Sequence, residues 1–130
     1  MKLRRLVLLL CFALLSLALS SCATSPIVTA EVAPGGTLLM KADNFSFSPN
    51  SISIHGTGTV TLTIANASGT AHNITVDDPK GKVIDSMEIP PNATVTTQVS
   101  FPGPGDYPFT CSHPFHAGLG MKGHFIVSGS

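Results

Sequence analysis

From Thr37 onward, apolar residues return at every second position and nowhere settle into a helical spacing, which limits this part of the chain to strands. Val60, Leu62 and Ile64 alternate with Thr59, Thr61 and Thr63, and His72, Ile74 and Val76 alternate with Asn73 and Thr75. Val95, Val99 and Phe101 share a face with Thr97, while Tyr107, Phe109 and Cys111 share another, interleaved with Pro108 and Thr110. In the last run Phe125 and Val127 take one side, His124 and Ile126 the other. Turn-forming residues separate these runs: Ser48-Pro49-Asn50, His55-Gly56-Thr57-Gly58, Ser68-Gly69, Asp78-Pro79-Lys80-Gly81, Pro90-Pro91-Asn92 and Pro102-Gly103-Pro104-Gly105. Seven or eight short strands at that spacing predict an all-β sandwich over residues 37–130.

Size and charge narrow what such a sandwich can do. At 130 residues the chain has room for one domain and excludes a multidomain enzyme. A hydrophobic content of 43% excludes a disordered chain. The formal net charge of zero conceals an asymmetry, because Lys2, Arg4 and Arg5 lie in a segment that looks removable. Without them four lysines face seven acids, a net charge of about −3, and nothing favours binding to nucleic acid.

The first residues read as an address. Met1 to Arg5 is positively charged, Leu6 to Leu15 is apolar, and Ser16 to Ser21 softens toward small residues. Leu6 to Leu19 is 14 residues, short of the roughly 20 that span hydrocarbon. Leu19-Ser20-Ser21-Cys22 resembles the bacterial lipobox, in which a Leu and two small residues precede a Cys that becomes the lipidated N-terminus. The plainer alternative is an ordinary secretory signal with a chance cysteine. On the lipobox reading, residues 1–21 are a lipoprotein signal peptide, residues 22–36 a lipidated N-terminus and linker, and residues 37–130 the domain. The protein would then be exported and held at the extracytoplasmic face of a bacterial membrane. Ala23 to Gly36 reads as a tether with a coil reach of about 20 Å; the alternative is that Ile27 to Val32 adds an edge strand.

Cysteine usage sharpens this. Cys11 leaves with the signal and Cys22 carries lipid, so Cys111 is the only thiol left and the domain has no disulfide. A lone thiol in an oxidising compartment needs a reason. Burial as a small hydrophobe is one, and metal ligation is another. Its neighbours favour the second: Cys111, His116 and Met121 form a Cys-x4-His-x4-Met pattern between two strands, and His72 waits on a separate strand. A thiolate, two imidazoles and a thioether are the donor set of a blue-copper site, with two His and a Cys in a plane and a weak axial Met. Soft sulfur suits Cu(I), imidazole suits both oxidation states, and a rigid site moves little when the charge changes.

These residues give the chain its resemblance to the cupredoxins, in particular to plastocyanin-like and auracyanin-like proteins, over nearly all of Leu38 to Val127. Asn44-Phe-Ser-Phe-Ser-Pro49-Asn-Ser-Ile52-Ser-Ile54 is similar to the family's Phe-x-Pro-x-x-Ile-x-Ile/Val motif, and Ala71-His72-Asn73 to its upstream ligand followed by Asn. Cys111-Ser-His-Pro-Phe-His116 resembles its Cys-x-x-Pro-Gly-His loop. The resemblance implies a Greek-key β-sandwich with one type 1 copper. It makes His72, Cys111 and His116 equatorial ligands, Met121 the axial one, and Asn73 a bond to the Cys111 loop near Ser112. Two departures stand out: Phe115 replaces the loop glycine, so the backbone angles there are open, and His113 offers a rival imidazole whose spacing fits neither known loop length.

The expected function is a lipid-anchored, monomeric electron carrier rather than an enzyme, cycling between Cu(I) and Cu(II). Its redox partners would be of cytochrome or oxidase type. His116 would lie near the surface inside an apolar docking rim of Pro114, Phe115, Ala117 and Leu119. A copper chaperone or store delivering metal to a cuproenzyme is the alternative, motivated by the extra histidines His113 and His124. His55 and His124 otherwise read as solvated surface, and Met40 and Met87 as core filler.

Overall fold

The computed structural model describes residues 25–129, so the signal segment 1–21 and the lipidation residue Cys22 lie outside the described residues. Ten strands form two sheets, and there is no helix among the described residues. One sheet holds β2 (Thr37–Asp43), β3 (Ser46–Ser48), β5 (Gly58–Asn66) and β8 (Thr94–Phe101) in the order β3-β2-β5-β8. The other holds β1 (Thr29–Val32), β4 (Ser51–His55), β6 (His72–Asp77), β7 (Val83–Ile89), β9 (Gly105–Thr110) and β10 (Lys122–Ser128), in the order β1-β4-β10-β9-β6-β7.

The alternation seen in the sequence becomes the inward face of each sheet. Val60, Leu62 and Ile64 are fully buried, as are His72, Ile74 and Val76, while the intervening threonines are half-exposed or exposed. A chain of edge-to-face and tilted rings fills the space between the sheets, from Phe47 through Phe109 and Phe125 to Phe101 and Tyr107, with centroids 4.7–5.5 Å apart. The Tyr107 hydroxyl donates to the Gly103 carbonyl at 2.8 Å, pinning the turn before β9. Gly123 in β10 lies where a side chain would collide with Phe109 and the Asn50 carbonyl, so the strand can pack there only without a Cβ.

The sandwich differs from the expected seven or eight strands at its short elements. Ser46–Ser48 is only three residues long and sits in a turn-rich stretch, where no period can be read. Thr29–Val32 lies inside the segment read as a tether. It runs parallel to β4 in the register Thr29↔Ser51 to Val32↔Ile54, and Val32 joins the core. The edge-strand alternative therefore describes Thr29–Val32, and the free-linker reading does not. A side-chain clasp explains why: buried Asn50 accepts from the Val28 N–H at 2.8 Å and donates to the Pro26 carbonyl at 3.0 Å.

Strand pairing sets the position of the site. Strands β6 and β9 are antiparallel neighbours with Thr75 opposite Thr110. Carried two residues on, that register brings Asn73 beside Ser112. The loop from β9 to β10 thus hangs over the start of β6, where His72 enters the core.

Candidate metal centre

His72, Cys111 and His116 come together, with one ligand atom of each lying within 4.8 Å of the others. His72 Nδ1 is 3.2 Å from His116 Nδ1, and Cys111 Sγ is 3.4 Å from that same nitrogen. His72 and Cys111 are fully buried, whereas His116 is half-buried. Met121 stands near these three and is itself buried. Its carbonyl accepts from the Cys111 N–H at 3.0 Å and its N–H donates to the His116 carbonyl at 3.1 Å, so the loop closes on itself at its two ends.

The far side of the His72 ring is also tied. Its Nε2 lies 3.0 Å from Ser68 Oγ. The Ser68 hydroxyl is 2.8 Å from Asn66 Oδ1 and 3.2 Å from the Thr70 carbonyl. When it donates to either, its oxygen accepts from His72 Nε2–H, the tautomer that turns the His72 Nδ1 lone pair toward the cluster. Asn66 is in turn held by donating to the carbonyls of Thr70, Ile89 and Pro90 at 2.8–3.1 Å. Asn66 and Ser68 escaped the sequence reading, although a Ser four residues before a strand-borne His, in an Asn-x-Ser turn, is the signal that could have found them.

The thiol side is held from β6. Asn73 Oδ1 accepts from the Ser112 N–H at 2.7 Å, and Asn73 Nδ2 donates to Ser112 Oγ at 2.6 Å. The Asn73 backbone N–H points at Cys111 Sγ at 3.5 Å, a contact that would stabilise negative charge on sulfur. Asn73 Nδ2 also reaches Glu88 Oε1 at 3.2 Å.

His116 is placed by ring contacts. Phe45 lies against it with a centroid distance of 4.6 Å, and His113 stacks on it at 5.6 Å with the planes 20° apart. His113 is not one of the three converging residues; its Nε2 pairs with Glu88 Oε2 at 3.1 Å. His124 pairs with Asp106 at 2.8 Å and His55 with Glu31 at 3.5 Å, both on the surface. Phe115 takes φ 69°, in the left-handed region that favours glycine, with its ring 86% exposed. The phenylalanine thus adopts a glycine conformation. Pro114 and Leu119 are exposed beside it and Ala117 is half-buried.

Burial pushes the His72 imidazole below its ordinary value, and the nearby His116 and His113 rings push the same way. Burial, then His113, lowers His116 as well. Both shifts favour the neutral ring, the form in which imidazole binds a metal. Two neutral imidazoles, a thiol and a buried thioether fit copper better than zinc, which gains nothing from a thioether.

A β-sandwich with this donor set at one end defines a cupredoxin-type copper protein. Residues 36–128 match the profile of the copper binding proteins of the plastocyanin/azurin family, and the chain belongs to that family. Among solved structures it is similar to auracyanin B, with a TM-score of 0.63 and 20% identity over 81% of this chain and 96% of that one. Auracyanin A, a "blue" copper protein from Chloroflexus aurantiacus, gives 0.62 and 22% over 76% of this chain and 100% of that one. The dithionite-reduced auracyanin of Roseiflexus castenholzii gives 0.59 and 22% over 80% and 99%. No curated protein sequence matches the chain.

Proposed function

We propose that the protein is a lipid-anchored carrier of single electrons, with His72, Cys111 and His116 as the in-plane ligands of one type 1 copper and Met121 as its weak axial ligand. The observation that carries this reading is the convergence of three donor atoms within 4.8 Å, each on a side chain already held from behind. Copper, when bound, supplies the one-electron change between Cu(I) and Cu(II). The residues supply the rest. Asn66 and Ser68 hold the His72 ring, Asn73 and Ser112 hold the Cys111 loop, and the burial of His72 and Cys111 keeps water out. A site held this way moves little when the charge changes.

The electron would pass through His116, the one half-buried member of the cluster. Around it Pro114, Phe115, Ala117 and Leu119 form an apolar rim, suited to brief docking of a monomeric carrier on redox proteins of cytochrome or oxidase type through a small interface. A four-ligand set leaves no open position for a substrate, which separates this reading from an enzyme. Copper delivery loses its motive where His113 and His124 are engaged with Glu88 and Asp106.

The test is the visible spectrum of the copper-loaded domain. An intense thiolate-to-copper band is expected, Cys111→Ser should abolish it, and His113→Ala should leave most of it. A colourless copper complex of the unaltered protein would refute the electron-carrier reading.

A further inference from the structure

The chain enters the domain at the metal end. Ser25 packs on Gly120, the residue before Met121: Ser25 Oγ is 3.4 Å from the Gly120 carbonyl, and a methyl group added at Gly120 would meet that Oγ at 2.5 Å. The clasp by Asn50 on Pro26 and Val28 fixes the next residues, and β1 then runs away from the metal toward the opposite end. Only three Cα-to-Cα steps separate Ser25 from Cys22, a reach of at most roughly 11 Å. The long tether suggested by composition is therefore mostly taken up by the fold.

The connections around this entry share one chemical character. The connections at the metal end, residues 25–28, 44–50, 67–71, 90–93 and 111–121, contain no Asp, Glu, Lys or Arg. Ile27 is 79% exposed, Phe115 86% and Leu119 48%. The opposite end carries Asp78, Lys80 and Lys82 in its β6–β7 turn. Uncharged connections with protruding apolar side chains, flanked by Asp43, Glu88 and Lys122, are what a lipid headgroup layer accepts.

From where Ser25 enters the domain and from this asymmetry we infer that the metal end lies against the membrane, with Ile27, Phe115 and Leu119 seated among the lipid headgroups. The inference rests on the reading of Cys22 as the acylated residue. It narrows the proposed function: with Phe115 and Leu119 in the headgroup layer, the half-buried edge of His116 is offered to redox proteins embedded in the membrane and withheld from soluble ones.

The chain has no tryptophan, so one can be introduced as a depth probe. Leu119→Trp and Lys80→Trp place it at the two ends, about 20 Å apart along the strands, and the same side chain carries the same lipid preference in both. The full acylated protein, held as Cu(I), is bound to phosphatidylcholine vesicles with plain or brominated acyl chains. Mass analysis of its N-terminal peptide reads the acylation directly. Bromine is expected to quench the probe at 119 several-fold more than the probe at 80. Ten Gly/Ser residues inserted between Thr24 and Ser25 should erase most of that difference while leaving the protein on the vesicles. Acylated, vesicle-bound protein with equal quenching at both positions overturns the orientation alone. An unmodified Cys22 overturns the anchor and the orientation together.

Discussion

The two imidazoles of the site are held in opposite ways. His72 stands on a strand, fully buried, its outer nitrogen fixed by Ser68, which is fixed in turn by Asn66. His116 stands on a loop of successive tight turns, half-buried, and is positioned by the tilted ring of Phe45 and the stacked ring of His113. Hydrogen bonds in a dry interior are directional and costly to break; ring stacking holds a plane while leaving an edge free. One histidine is thus built for fixity and the other for access, and a carrier that must hold a metal still while passing its electron outward needs both.

Removing each ring tests that division most severely. His116→Gly should lose the blue colour of the copper-loaded protein and regain it when millimolar imidazole is added, because the vacated space opens to solvent. His72→Gly should lose the colour and not regain it, because no solvent path leads to a fully buried position. Both outcomes are read from the visible band. Equal rescue of the two variants would break the comparison, since it would mean that the strand-borne site is as open as the loop.

The same contrast explains how much could be read from the letters. Strand residues were legible because burial enforces period two: His72 shares its face with Ile74 and Val76, so its inward direction follows from its neighbours. The Cys-x4-His-x4-Met spacing was legible because one short loop must aim all three. Contacts that depend on how separate elements pack were not. Ser68, itself held by Asn66, meets His72 only because the β5–β6 turn folds back, and Phe45 reaches His116 from the β2–β3 turn of the other sheet. Thr29–Val32 looked like linker because four residues beside Pro and Gly show too little alternation to betray a strand, and because the clasp that fixes its approach comes from Asn50, distant in sequence.

A smaller effect is expected where the fixed half is loosened without touching a converging residue. Ser68→Ala removes the acceptor of the buried His72 Nε2–H and an acceptor for the Thr70 N–H. A buried donor left without a partner costs about 1–3 kcal/mol, so the metal-free protein should lose that much in a denaturant titration. The copper-loaded protein should also show a shifted or broadened band, because the ring is freer to rotate. An unchanged midpoint and spectrum would show that Ser68 does not hold the ring.

The smallest effect belongs to the accessible half and has the opposite sign. Phe115 sits at φ 69°, where a side chain crowds the following carbonyl at a cost of roughly 1–2 kcal/mol, and its 86% exposed ring recovers little of this by burial. Phe115→Gly removes the crowding but enlarges the conformational freedom of the unfolded chain, so the gain in stability should be at most about 1 kcal/mol. On the proposed function, a residue that weakens the fold and protrudes next to His116 acts through what it touches outside the molecule. The glycine variant should therefore be slightly more stable in denaturant, keep its colour, and bind vesicles or redox partners less well. A variant that is both more stable and equally competent at every surface would leave the aromatic ring with no role, and would weaken the distinction between a half built to hold and a half built to reach.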